Sequence, residues 1–299
     1  MTQFLPCNMS VHGVAANGFG QGNELYDRAR PSYQPIAISH IREAVRSNPP
    51  LNVVEIGAGT GIFTRALLAH PEWKDAIQKL IAIEPSSGMR EVFSKTVQDE
   101  RVSVKEGTFD STGVENGWAD IIIIAQAFHW TPDHELACTE FSRILKPNGV
   151  LALIWNLEDR DAARWVSQVR NRIEVNILQT NIVQNPDSVI PTFQLHEAGS
   201  PQFRLGHWRK AFETTAYKNY FDPQNERVFE YSLETTSSQV VDRACSKSYM
   251  AILSPEDKQK AIKDLEAILE RGEDKEWVDQ ANGIFKYPYQ TFVVVCRRK

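Results

Sequence analysis

The chain has 299 residues, of which 42% are hydrophobic, 24% charged and 10% aromatic. That suits one large domain, or a domain with an insertion, and excludes disordered, collagen-like and disulfide-scaffold architectures. Its 33 basic and 38 acidic residues give a formal net charge of −5, so no broad cationic field would gather nucleic acid or an anionic membrane surface. Apolar runs such as Ile121–Ala125 and Val150–Trp155 fall far short of the roughly 18–20 residues that span a bilayer.

The first twenty residues lack a basic stretch followed by an apolar one, so no export signal is expected and the predicted location is cytoplasmic. The four cysteines (Cys7, Cys138, Cys245, Cys296) form no CxxC pair and read as reduced thiols.

In chain order, residues 1–50 form an N-terminal segment. From Leu51 to Asn156 short β-rich runs alternate with helical patterns, the signature of parallel βαβ units. The runs are Leu51–Ile56, Lys79–Glu84, Val102–Lys105, Ala119–Gln126 and Gly149–Asn156. Ile121–Ile124 and Val150–Ile154 are continuously apolar, as strands covered by helices on both faces should be. Between the fourth and fifth strands a helix is expected to start at Thr131-Pro132 and stop at Lys146-Pro147-Asn148-Gly149.

After Asn156 the alternation ends. A helix is expected around Arg164–Gln179, an irregular polar stretch over Gln184–Gly199, and a hairpin joining Tyr217–Phe221 to Val228–Leu233 through Asp222-Pro223-Gln224-Asn225. Ser254-Pro255 should cap a helix whose apolar face is Ala261, Ile262, Leu265, Ile268 and Leu269 and which Gly272 ends. Thr291–Cys296 reads as a last strand returning to the sheet. The expected architecture is an α/β, doubly wound, mostly parallel Rossmann-like sheet with an antiparallel last strand. Its parts are a core over 51–156, a helical and hairpin lid over 157–285, and a closing segment over 286–299.

The most informative segment is Val53-Val54-Glu55-Ile56-Gly57-Ala58-Gly59-Thr60-Gly61, a strand entering a glycine turn ahead of an amphipathic helix. Glycines permit positive φ and close approach of backbone to a ligand. A dinucleotide fingerprint would need glycine where Ile62 stands, and a phosphate-cradling P-loop would need Gly-Lys-Ser/Thr. Glu84 ends the second strand, 27 residues after Gly57, against ~20 in nucleotide sites of this kind. Its carboxylate can accept two hydrogen bonds from a ribose diol. A ligand with ribose and cationic groups but no phosphate fits this pair, and S-adenosylmethionine has those features.

Four segments then carry a resemblance: Tyr26-Asp27-Arg28-Ala29-Arg30-Pro31-Ser32-Tyr33, the Glu55–Gly61 loop, Gln126-Ala127-Phe128-His129-Trp130, and Leu145-Lys146-Pro147-Asn148-Gly149 with Trp155-Asn156. Over about Phe19–Asn156, and again from Ser248-Tyr249 to Tyr287-Pro288-Tyr289, the chain resembles class I S-adenosylmethionine-dependent methyltransferases, in particular the small-molecule type related to trans-aconitate and cantharidin methyltransferases. That resemblance implies that Glu55, Gly57, Ala58, Gly59 and Gly61 cup the methionyl part of the cofactor and that Glu84 holds the ribose. It puts Thr108 and Phe109 beside adenine, although an acidic residue is usual where Thr108 stands, and has Gln126 face the cofactor. Tyr26 and Arg30 would close over it, Arg30 toward its carboxylate.

In a doubly wound sheet the ligand lies beyond the carboxyl ends of the strands, so the loop Ala127–Trp130 should face the reacting centre. His129 is the candidate catalytic residue: its imidazole could take a proton from a hydroxyl acceptor, or it could simply line the pocket. Tyr33, Trp130 and Asn156 are candidate substrate contacts. Arg204, His207, Trp208, Arg209 and Lys210 form a basic, aromatic patch that either meets an anionic acceptor or is a solvated helix face.

No metal-ligand spacing occurs. The expected partner is a small acceptor with a carboxylate or hydroxyl, with no nucleic acid and no membrane, in a monomer or homodimer. Methyl transfer stands against two alternatives, another cofactor-dependent reaction on the same fold and a regulatory protein that binds the cofactor without turnover.

Overall fold

The computed structural model describes residues 23–184, 201–247, 250 and 253–299. Cys7, Phe19, the stretch 185–199 and Ser248-Tyr249 lie outside the described residues.

Two short helices, α1 (Asn23–Ala29) and α2 (Pro35–Ala44), precede the sheet. Then come β1 (Leu51–Ile56), α3 (Ile62–Ala69), β2 (Ile77–Ile83), α4 (Ser87–Thr96), β3 (Val102–Lys105), β4 (Ala119–Ala125), α5 (His134–Ile144) and β5 (Leu145–Glu158). The second half holds α6 (Arg164–Gln184), α7 (Thr215–Tyr220), β6 (Asn225–Thr235), α8 (Ser237–Cys245), α9 (Pro255–Arg271), β7 (Trp277–Asp279) and β8 (Ile284–Arg297).

The sheet order is β3-β2-β1-β4-β5-β8-β6, with β7 paired to β8. The strands from β3 to β5 run parallel, and β8 runs antiparallel to both β5 and β6. This is the doubly wound architecture with one antiparallel strand that the sequence predicts. Order reverses between β1 and β4, which opens a crevice at their carboxyl ends.

β4 shows why its run is continuously apolar. Ile121 and Ile123 pack into one layer with Ile38, Phe63 and Trp73, while Ile122 and Ile124 pack into the other with Phe128, Phe141 and Trp155. Alternate residues of a strand face opposite sides, and here both sides are dry. A third cluster, including Trp165, Val169, Leu265, Tyr287 and Tyr289, joins α6, α8 and α9 to β8.

Three expectations change. Residues 215–220 are helical rather than a hairpin strand: Thr214 accepts the Tyr217 amide as an N-cap, and Tyr217 and Phe221, four apart, stack at 5.4 Å, a helical spacing. Val228–Leu233 lies within β6, paired with β8. β6, within the segment expected to form a lid, is a strand of the main sheet. Finally, α5 starts two residues late. The Thr131 amide closes the 3₁₀ turn Phe128–Trp130, and Asp133, whose carboxylate suits the positive helix end, accepts the Leu136 amide. The Ser254 cap and the Gly272 terminus of α9 are as expected.

Candidate functional site

The crevice has two lobes that share Tyr26, Arg30 and Gln126. The first lies over the β1–α3 loop. Gly57, Gly59 and Gly61 all have positive φ, at +74°, +57° and +85°. A Cβ on Gly57 would come within 2.5 Å of the Ala127 side chain, whereas one on Gly59 would meet nothing within 4 Å. The first glycine is demanded by packing and the second leaves open space.

Glu84 supports the loop: its two oxygens accept the amides of Gly59 and Ser86, each at 2.9 Å. Burial nevertheless raises its pKa. Glu55 is 1% exposed and accepts the Thr64 hydroxyl at 2.5 Å on Oε2, while Oε1 has no partner among the described residues. Burial is the main cause that pushes its pKa up to about 8. Ala58, Thr60 and Tyr33 complete this lobe, with Tyr33 held edge-on to Phe63 at 4.9 Å.

The second lobe opens beyond β4 and β5. At its mouth Gln126 has φ +56°, an uncommon conformation for a residue with a side chain, and its amide donates to the Asn156 carbonyl at 2.7 Å. His129 Nδ1 accepts the Trp155 indole N–H at 3.3 Å; with Nδ1 as acceptor, a neutral ring carries its proton on Nε2. Burial, aided by Arg30, lowers the His129 pKa to about 3. Trp130, Gln202 and Phe203 line the walls, and the floor is ionic, with Glu158, Arg170, Arg204, Arg243 and Lys247.

Residues 54–153 match the family model described as a methyltransferase domain. The match runs from β1 into β5. An uncharacterized methyltransferase-like protein of Schizosaccharomyces pombe is 35% identical over 146 residues, 48% of this chain and 53% of its own. An uncharacterized methyltransferase of Mycobacterium tuberculosis is 31% identical over 151 residues, 50% of this chain and 56% of its own. The chain thus spans about half the length of these curated relatives. Among solved structures, the YcgJ protein of Bacillus subtilis covers 89% of this chain and 99% of its own with TM-score 0.51 and 18% identity, a likeness of fold.

The methyltransferase-domain match supports S-adenosylmethionine as the cofactor. The first lobe fits that molecule: the buried Glu55 Oε1, with no partner among the described residues, can accept an ammonium once the acid gives up its proton, and Glu84 keeps lone pairs for hydroxyl donors beyond its two amides.

Several expected site residues are already engaged. Asn156 donates to the Ser32 carbonyl at 3.1 Å and accepts the Thr291 hydroxyl at 2.7 Å, so its side chain ties the N-terminal segment to β8 instead of standing ready for substrate. Thr108 donates to Asp110 at 2.6 Å, which brings in a carboxylate two positions from where one was expected. Phe109 lies 6.1 Å from Phe128, edge to face. Arg30 sits 4.5 Å above the Tyr26 ring and bonds Ser246 through Nε and Nη2.

Of the basic patch, Arg204 reaches the second lobe and pairs with Glu174 at 2.9 Å. Trp208 is buried between Phe203 and Trp155, and Arg209 pairs with Glu226. The residues missed by sequence reasoning are Glu158, Arg170, Arg243 and Lys247. No local pattern marks them: Arg243 lies near the end of α8 and Lys247 two residues beyond it, and their common partner Glu158 is set by the fold.

Proposed function

We propose that the protein transfers the methyl group of S-adenosylmethionine to a small organic acceptor bound in the second lobe. The observation that carries this reading is the pair of lobes meeting at Gln126, one with a glycine loop and the buried Glu55, the other with polar and cationic walls. When bound, the cofactor supplies an electrophilic methyl on a sulfonium. The acceptor would contribute the lone pair for the new bond, and the sulfur would leave as a thioether with the old bonding pair.

The residues' work is positioning and exclusion of water, which is worth up to roughly 7–11 kcal/mol in such displacements. Gly57, Ala58, Gly59 and Gly61 would hold the methionyl part, with Glu55 toward its ammonium and Arg30 toward its carboxylate. Glu84 would hold the ribose and Phe109 the adenine, and Tyr26 and Tyr33 would cover the site. His129 acts as a neutral Nε2–H donor that orients the acceptor: with a pKa of about 3 and Nδ1 already bonded, it is a poor proton acceptor. An acceptor whose nucleophile is already deprotonated, such as a carboxylate, is therefore favoured, in keeping with the resemblance to trans-aconitate and cantharidin methyltransferases.

The test is incubation with methyl-labelled cofactor and a panel of organic acids, read by mass spectrometry. Label in an acid with matching S-adenosylhomocysteine is expected. Cofactor consumption without label transfer would favour a different reaction class.

A further inference from the structure

Among the described residues, the floor of the second lobe holds more cationic side chains than carboxylates. Glu158, 6% exposed, is met by Lys247 Nζ at 2.8 Å, Arg243 Nη2 at 3.1 Å and Arg170 Nη1 at 3.2 Å. Glu174 is met by Arg160, Arg170 and Arg204. Arg243 is 4% exposed, and its Nη1 has no hydrogen-bond partner among the described residues.

Buried cations that outnumber their counter-ions are costly, and an unpaired guanidinium N–H more so. Burial would raise Glu158, yet Arg243, Lys247 and Arg170 together hold it well below the usual carboxylate range. The same burial and crowding, with Arg170 and Arg243 as neighbours, push Lys247 well below an ordinary lysine. A floor in this state gains from any ligand that brings negative charge.

We propose that Arg243 and Lys247 form a subsite for an oxyanion of the acceptor, carboxylate or phosphoryl, which anchors it and is not the atom methylated. The inference rests on the methyl-transfer reading for the word acceptor, but the binding site itself does not. Guanidinium and ammonium donors recognise oxyanions through charge-assisted bonds, and the same bonds draw electron density away from the held group, which makes it a weak nucleophile. Trp130 and Phe203 on the walls suit an organic body between anchor and reacting atom.

The probes are malonate and inorganic phosphate, titrated by calorimetry into the full chain saturated with S-adenosylhomocysteine. At least one should bind the wild type, and the tighter of the two identifies the oxyanion class. Lys247→Met should weaken it tenfold or more, Lys247→Arg should keep it within about threefold, and Glu158→Gln should tighten it, with S-adenosylhomocysteine affinity within about twofold throughout. A merely structural ion-pair cluster would instead make Glu158→Gln bind the anion more weakly. That result, unchanged binding in Lys247→Met, or no anion binding at all overturns the proposal. If Lys247→Met does not fold, the opposite signs expected for Glu158→Gln and the retention in Lys247→Arg still decide it. Failure of S-adenosylhomocysteine to bind the wild type would strike the methyl-transfer reading instead, while anion titration without it still reads the subsite.

Discussion

The first lobe is built around one short stretch of chain, Glu55 and the glycine loop, which Glu84 braces from behind. The second lobe gathers Gln126, His129, Glu158, Arg170, Arg243 and Lys247 from β4, β5, α6 and α8 and the turns beside them. The first lobe is shaped by backbone, with positive φ at three glycines and amide bonds to Glu84. The second is shaped by side-chain charge brought together over long separations in sequence. Damage to the first should therefore remove binding and stability together, whereas damage to the second should change which acceptor is used.

The largest effect is expected for Gly57→Val. A side chain at φ +74° that meets Ala127 at 2.5 Å combines backbone strain with overpacking, roughly 2–6 kcal/mol, so melting should fall sharply and cofactor titration show no binding. Wild-type behaviour would break the view that backbone shape makes the lobe.

Next comes Glu55. An acid whose folded pKa is about 8, against an ordinary 4.5, favours the folded state while protonated. Its stabilisation is complete below about pH 4.5 and is lost as pH rises through 8. Denaturant titrations across that window should show declining stability in the apo protein, and Glu55→Gln should remove that part of the slope; an identical slope in the variant would mean that Glu55 is not the group.

Asn156→Ala deletes the bonds to Ser32 and Thr291 and should cost roughly 1–3 kcal/mol in stability, more than a substrate contact alone would. The smallest effect belongs to His129→Asn, expected to lower turnover about tenfold, near 1.4 kcal/mol, with cofactor affinity unchanged. Because the wild-type imidazole titrates near 3, the wild-type rate profile should show no limb near pH 6.5 that the variant loses. Such a limb would restore His129 as a base.

The same contrast explains what could be read from sequence. The β1–α3 loop, Glu84, the apolar β4 and the α9 caps are local patterns, and each was legible. β6 was visible as a strand, but its partner β8 lies about sixty residues on, and no local signal names a partner. Tyr217 and Phe221 read as strand aromatics because two residues cannot separate a period of two from one of 3.6. Asn156 was legible as a residue at the rim, yet its partners Ser32 and Thr291 are fixed only by the sheet. The cationic floor was hidden for the same reason: Arg243 and Lys247 look like ordinary helix-end charges until Glu158, at the end of β5, is known to lie beside them.

The account stands on the claim that the loop and Glu84 hold S-adenosylmethionine. Calorimetric titration of that cofactor into the wild type and Glu84→Ala tests it most directly. One site per chain in the wild type and an affinity at least tenfold weaker in Glu84→Ala are predicted; equal affinity in the two proteins, or no binding to the wild type, would contradict it.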